Sequence, residues 1–320
     1  GKGIQADPSA AFRWYRTAAA QEDPRGMFSV GRAYDYGIGV EKDAVQAARW
    51  YQAAADAGSA PAMCDLGVCY ERGEGVPQSF AKAAELYQAA ARAGNAPGQC
   101  NLGFLYEIGR GVEQDWDQAV RWYRAAAEQD MPRAQCNLAW CYENGKGVAQ
   151  DFQEAVRLYS RAAEGDPRGM HCMGVCCKTG RGVPRDLKQA VAWYEKAVEA
   201  GFVPSMCNLG VCYENGDGVT ADLSKAAELY ERAALRGDAA GQCNLGYLYE
   251  AGRGVEKDMT QAVAWYEKAA AQGFPRAFDL LGDCAADGVG MEQDQARAAE
   301  YYRRGAELDY PPAMVSLGLC

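Results

Sequence analysis

The sequence predicts an all-α protein, a right-handed α/α solenoid of about nine 36-residue two-helix repeats. Three observations predict it: an unbroken repeat, a helical apolar period inside each unit, and helix stop and start signals at fixed offsets. Gly-x-Gly pairs stand at Gly1/Gly3, Gly37/Gly39, Gly73/Gly75, Gly109/Gly111, Gly145/Gly147, Gly180/Gly182, Gly216/Gly218, Gly252/Gly254 and Gly288/Gly290. Every step is 36 residues except one of 35. The short step falls at Asp166-Pro167, where the preceding unit has Asp130-Met131-Pro132. Self-similarity at this period marks stacked repeats, each burying its apolar face only against its neighbours. The register leaves no room for a second domain, so residues 1–320 are expected to form a single domain. Both ends fall inside a unit and neither carries a polar capping repeat. This reads as a slice of a longer chain, or as an array whose uncapped ends pair with something, a second copy included.

Each unit reads as two helices. The first carries a small residue, then Leu four positions on, then Gly and Tyr, as in Gly98, Leu102, Gly103 and Tyr106. That spacing lies on one helical face. The helix is expected to stop at a glycine such as Gly109. The second helix opens at Asp7, Asp43, Ser79, Asp115, Asp151, Asp186, Asp222, Asp258 or Asp294, all side chains that accept bonds from free backbone N–H groups. Capping boxes are expected where Gln or Glu follows three residues later, as Asp115 with Gln118 and Asp151 with Glu154. Four residues past the cap stands Ala in every unit, from Ala11 to Ala298. Seven past it stands Trp14, Trp50, Leu86, Trp122, Leu158, Trp193, Leu229, Trp265 or Tyr301, and Tyr always follows. These are expected to be core columns rather than a ligand box. The count comes to eighteen helices.

Gly103 to Ala126 carries, nearly intact, Leu-Gly-x-x-Tyr-Glu-x-Gly-x-Gly-Val-x-x-Asp-x-x-x-Ala-x-x-Trp-Tyr-x-x-Ala-Ala. The pattern resembles the Sel-like repeat (SLR), a relative of the tetratricopeptide repeat, over the whole chain. The resemblance implies an α/α solenoid whose first helices line a concave face, with a scaffolding or adaptor role and no chemistry of its own.

Composition agrees with a non-enzymatic binding protein. Thirty-three Lys and Arg against 43 Asp and Glu leave a net charge of -10, which argues against a nucleic-acid backbone as the main partner. No apolar run approaches the roughly 18 residues of a membrane span. The single histidine, His171, excludes any site needing two histidines from one chain. No cofactor is indicated.

Thirteen cysteines would ordinarily suggest a disulfide framework. All lie in first helices, in columns two before and three after Leu, with Cys172 and Cys177 as extras. Within one helix the two columns are about 140° apart. Down a column they are about 8–10 Å apart, too far for a bridge. Free thiols serving as small apolar residues are expected, and this pattern favours a reducing, cytoplasmic compartment. One unit departs from the rest: His171, Cys172 and Cys176 bring potential zinc ligands together, and they form the alternative reading, a thiol- or metal-binding protein. An idealised array with no native partner is a further alternative, given how alike the units are.

Some motifs mislead. Ser79-Phe80-Ala81-Lys82 and Lys178-Thr179-Gly180 match elements of penicillin-recognising enzymes. The register makes Ser79 a helix cap and Lys178-Thr179-Gly180 a helix end. The Gly-x-Gly pairs lack the third glycine and the preceding strand of a dinucleotide site.

Binding is expected where columns vary on a constant frame. With Leu facing the core, the residues one before, two after and six after it point away, at about 100° per residue. The expected groove comprises Asn101, Phe104, Ile108, Asn137, Trp140, Asn144, Val175, Asn208, Val211, Asn215, Asn244 and Tyr247. Asn offers donors and acceptors to a peptide backbone, and aromatics anchor interfaces. The Asn ladder could equally belong to the repeat's own internal bonding. An acidic column, Glu71, Glu107, Glu143, Glu214 and Glu250, flanks this face and would suit a basic protein or peptide partner.

Overall fold

Helix ends fall where the caps and glycines place them. The computed structural model describes residues 7–319, so the Gly1/Gly3 pair and Cys320 lie outside the described residues. It divides into two compact units, Gly1–Asp166 and Pro167–Cys320, meeting at the one 35-residue step. The first unit holds α1 (Pro8–Ala19), α2 (Pro24–Tyr36), α3 (Ala44–Asp56), α4 (Ala60–Arg72), α5 (Phe80–Arg92), α6 (Ala96–Ile108), α7 (Trp116–Ala127), α8 (Pro132–Asn144) and α9 (Phe152–Ala162). The second holds α10 (Pro167–Thr179), α11 (Leu187–Glu199), α12 (Val203–Asn215), α13 (Leu223–Leu235), α14 (Ala239–Ala251), α15 (Met259–Ala271), α16 (Pro275–Asp287), α17 (Gln295–Glu307) and α18 (Pro311–Leu319). Even-numbered helices are the first helices of their repeats and odd-numbered ones the second. The eighteen helices, with no strand among the described residues, form stacked helix pairs in each unit, an all-α solenoid arrangement. First helices of successive repeats also touch, α4 with α6, α12 with α14 and α16 with α18.

The Gly-x-Gly pairs have two separate jobs. The first glycine takes a left-handed conformation, such as φ 65° at Gly109, and ends the first helix. The second, such as Gly111 at φ 74°, lies so close to the start of the preceding second helix that a Cβ would overlap the Phe80 backbone. The cap residue then starts the next helix, with Asp115 accepting from the Gln118 N–H at 3.0 Å. The capping boxes form only in half. The backbone N–H that would donate the reciprocal bond is already used: that of Asp115 donates to the Tyr106 carbonyl at 3.0 Å and that of Asp151 to the Tyr142 carbonyl at 2.9 Å. Glu154 turns instead to Arg157, 2.6 Å away.

The tyrosine column is the centre of each repeat. Tyr51, Tyr87, Tyr123, Tyr194, Tyr230 and Tyr266 are fully enclosed, and each buried ring stabilises the fold by roughly 4 kcal/mol before entropy. Each lies flat against a glycine of the preceding first helix. A Cβ on Gly67, Gly103, Gly210 or Gly246 would come within 2.8 Å of the ring of Tyr87, Tyr123, Tyr230 or Tyr266. One repeat has Ala139 in this column, opposite Tyr159, and accommodates its methyl group in full burial. The Ala column from Ala47 to Ala298 is buried throughout. In the column before the tyrosines Leu158 and Leu229 are buried as expected, whereas its tryptophans depart from the core. Trp50, Trp122, Trp193 and Trp265 are only half-buried, because one helical step from the buried Tyr places them at the outer edge. There Lys196 and Lys268 lie over the Trp193 and Trp265 rings at 4.4 and 3.7 Å.

Gly210→Val should therefore cost about 2–3 kcal/mol in urea denaturation, through overlap with Tyr230. Ala139→Gly, where the methyl already fits, should cost about 1 kcal/mol or less.

Candidate functional site

The acidic column that flanks the first-helix face is engaged internally. Tyr87 donates its hydroxyl to Glu71 at 2.6 Å, Tyr123 to Glu107 at 2.5 Å and Tyr159 to Glu143 at 3.0 Å. In the second unit Tyr230 donates to Glu214 at 3.0 Å and Tyr266 to Glu250 at 2.5 Å. Burial and the adjoining carboxylate push the phenols of Tyr87, Tyr123, Tyr230 and Tyr266 upward, so they stay protonated donors. Each of these half-buried carboxylates is thus tied through one oxygen to a core tyrosine. Where Lys178 replaces Glu, the buried Tyr194 hydroxyl has no carboxylate acceptor and, among the described residues, makes no well-formed hydrogen bond, with the Asn208 side chain as its polar neighbour. The sequence carried a signal for this: Glu and Tyr recur sixteen residues apart.

The expected groove residues fall into three sets. In the first unit Phe104, Ile108 and Trp140 are exposed, at 40%, 36% and 41%. Trp140 stacks on Trp116 with ring centres 5.8 Å apart, and Lys146 lies over Trp116. Exposed Asn144 donates to the Trp140 carbonyl at 2.9 Å, holding the end of α8. Half-buried Asn101 and Asn137 donate weakly to the thiols of Cys64 and Cys100, at 3.6 and 3.9 Å. In the second unit Val175, Val211, Asn208, Asn244 and Tyr247 are half-buried, and Asn215 is exposed. Arg276 reaches the Asn244 carbonyl oxygen at 3.2 Å and covers the Tyr247 ring at 5.4 Å. Arg133 makes the matching bond to the Asn101 carbonyl oxygen. Neither arginine was singled out from the sequence, because both sit at helix starts, outside the varied columns.

A second missed feature is a buried glutamine. Gln99 donates to the Ala91 carbonyl at 3.2 Å and accepts from Gln129 at 2.8 Å. Four repeats on, Gln242 donates to Ala234 at 3.3 Å and accepts from Gln272 at 2.8 Å. A polar residue in an otherwise Met or Phe column was its signal. These amides satisfy carbonyls at the ends of second helices.

The first unit has a pocket of about 360 Å3 on this face, with Asp35, Asp65, Val68 and Arg72 in its wall. Asp65 stands where other repeats have Asn. Burial raises its carboxyl to about 6, with Arg32 acting in the opposite direction.

The twelve described cysteines are free thiols, and all but Cys172 are buried. Burial pushes Cys69, Cys141 and Cys284 up to about 12, so they remain neutral and act as small apolar side chains. His171, Cys172 and Cys176 are not gathered into a ligand set. The His171 Nδ1 lies 2.9 Å from the Ser205 hydroxyl, and its ring packs between Tyr194 and Phe202. Burial lowers its pKa. Among the described residues no three His, Cys, Asp or Glu side chains are placed to hold a metal ion. Ser79 accepts from the Lys82 N–H as a helix cap, and Thr179 bonds the Val175 carbonyl within its own helix. No described helix is long and apolar enough to cross a membrane.

Comparison with known proteins follows the same repeat. The Sel1 repeat model matches nine times, at residues 1–23, 24–59, 60–95, 96–131, 132–167, 167–202, 203–238, 239–274 and 280–310. A protective antigen of uropathogenic Escherichia coli strains, described as displaying an SLR fold, is 32% identical, with a TM-score of 0.70. The match covers 96% of this chain and 66% of that one, so this chain spans just under two-thirds of that relative. A Sel1 repeat protein from Oxalobacter formigenes is 29% identical with a TM-score of 0.67, over 76% of this chain and 96% of that one. No curated protein sequence matches.

Asp65 yields a pH prediction. Its carboxyl is raised in the fold, so its protonated form is the one the fold favours. That contribution is present below pH 4 and is lost as pH rises toward 6. Asp65→Asn should raise the thermal midpoint at pH 7.5, by about 1–2 kcal/mol in stability, and the gain should vanish near pH 4.

Proposed function

We propose that this chain, which belongs to the Sel1 repeat family, binds a peptide or protein partner on the face lined by its first helices. Sel1 repeat proteins generally act as non-catalytic scaffolds that mediate protein–protein interaction. The finer reading concerns where the partner docks. The observation that carries it is the exposed aromatic and aliphatic set Phe104, Ile108 and Trp140, on a frame whose Leu column from Leu66 to Leu281 and Tyr column from Tyr51 to Tyr302 are turned inward. Trp140 is held in place by Trp116 and by its own helix. A large side chain that is both exposed and pre-ordered loses little entropy on binding, which is what an interface anchor needs. Within each unit successive first helices touch, as α4 with α6 and α12 with α14, and this supports a continuous docking face on that side of the unit.

The His171, Cys172 and Cys176 alternative draws no comparable support, since Ser205, Tyr194 and Phe202 occupy the surroundings of the imidazole.

Affinity capture from a lysate tests the reading, with the wild-type chain and Phe104→Ala/Trp140→Ala as baits. The two truncations should leave the thermal midpoint within a few degrees, because both side chains are exposed. At least one protein should be held by the wild type and lost, by tenfold or more, with the variant. Identical lists from both baits would contradict docking on this face.

A further inference from the structure

Arginine stands second in four first helices, as Arg25, Arg133, Arg168 and Arg276, and among the described residues Arg133 and Arg276, four repeats apart, are paired with no carboxylate. Arg133 and Arg276 are each the second residue of a first helix, α8 and α16. Each guanidinium reaches back to the Asn of the preceding first helix: Arg133 to the Asn101 carbonyl oxygen, and Arg276 to that of Asn244 at 3.2 Å. The Nε of Arg133 also donates to the Cys100 sulfur at 3.2 Å. Both are half-buried. Two other half-buried arginines sit on carboxylates, Arg161 on Asp130 at 2.6 Å and Arg253 on Glu214 at 2.8 Å. Among the described residues Arg133 and Arg276 have none, although the chain is acidic overall.

A guanidinium has five donors in a planar fork. Two neutral acceptors leave most of the Arg133 fork free, and Arg276 is in the same state. Holding a partly desolvated cation without a counter-charge is costly, and a carboxylate bound bidentately would remove that cost. The surroundings also define what adjoins the anion. Arg276 lies over the Tyr247 ring. Phe104 stands in the same column as Tyr247, four repeats earlier, and is 40% exposed.

From this recurring arrangement we infer that Arg133 with Asn101, and Arg276 with Asn244, each bind a carboxylate of the partner, beside an apolar group seated on Phe104 or Tyr247. A net charge of -10 opposes a long acidic tract, so each site fits a single carboxylate next to an apolar side chain. A chain terminus and an isolated Asp or Glu share that chemistry. The inference rests on the proposed docking of a peptide on the first-helix face.

The test uses the whole chain and a random peptide library in matched formats. One has free C-termini and one is amidated, and in each the Asp and Glu residues are also exchanged for Asn and Gln. Peptides with a carboxylate should be retained. Loss on amidation identifies a terminal carboxylate, and loss on Asp-to-Asn or Glu-to-Gln exchange identifies a side chain. Arg133→Gln/Arg276→Gln should weaken retained peptides by tenfold or more, and Arg133→Lys/Arg276→Lys should restore only part of the loss, since a lysine lacks the fork. The ligand arm needs no altered protein, so a destabilised variant does not blunt the test. If peptides bind equally well with every carboxylate removed, or the Gln variant keeps wild-type affinity, the inference is overturned. If such carboxylate-indifferent peptides are still lost with Phe104→Ala/Trp140→Ala, the docking face stands without it. If no peptide of either format binds, both fail.

Discussion

A tyrosine ring laid on a glycine recurs in every complete repeat but the one with Ala139, and much of the architecture depends on it. The ring of Tyr123 occupies the space where a Cβ on Gly103 would stand. This brings a first and a second helix together without a gap. Such an approach needs a small neighbour on the second helix as well, and Ala119, one turn before Tyr123, is fully buried. The phenol must then be satisfied deep in the stack, and the Glu of the first helix does this. Glycine, alanine, tyrosine and glutamate thus form one device repeated along each unit. The second glycine of each Gly-x-Gly pair adds a further close approach, onto the backbone of the preceding second helix.

This device explains why the rest of the surface is free to vary. Columns committed to it carry nearly the same residue in every repeat. Those turned away carry Arg, Val, Phe, Trp, Tyr or Asp with no effect on the helix register. A binding protein needs that separation, because a partner can then be read by side chains that do not hold the fold together. The thiols belong to the constant part. Buried and pushed toward neutrality, they fill small spaces between first helices.

Much of the fold was legible because its signals are local. Caps, left-handed glycines and the Leu-to-Leu period all lie within one helix or loop, and the eighteen helices follow from them. What depends on neighbouring repeats was less visible. The acidic column reads only as a flank suited to a basic partner until Tyr123 is seen to donate to Glu107, sixteen residues away. The Trp column reads as core by period alone, yet Trp193 and Trp265 sit at the rim under lysine side chains. Among the candidate groove residues, Phe104 and Trp140 project from the frame, whereas Asn101 and Asn244 are tied to arginines that open the next first helix. A helical wheel drawn for one helix cannot show a side chain arriving from the next.

The most direct test of the tyrosine device compares two hydroxyl deletions by urea denaturation at one pH. Tyr123 has Glu107 as its acceptor, whereas Tyr194 faces the repeat in which Lys178 replaces that Glu, and among the described residues its hydroxyl makes no well-formed hydrogen bond and has only the Asn208 amide beside it. Tyr123→Phe should cost about 1–2 kcal/mol, because the carboxylate loses its donor. Tyr194→Phe should be neutral or stabilising, because it removes an unsatisfied buried group. Equal costs at the two positions would contradict the account.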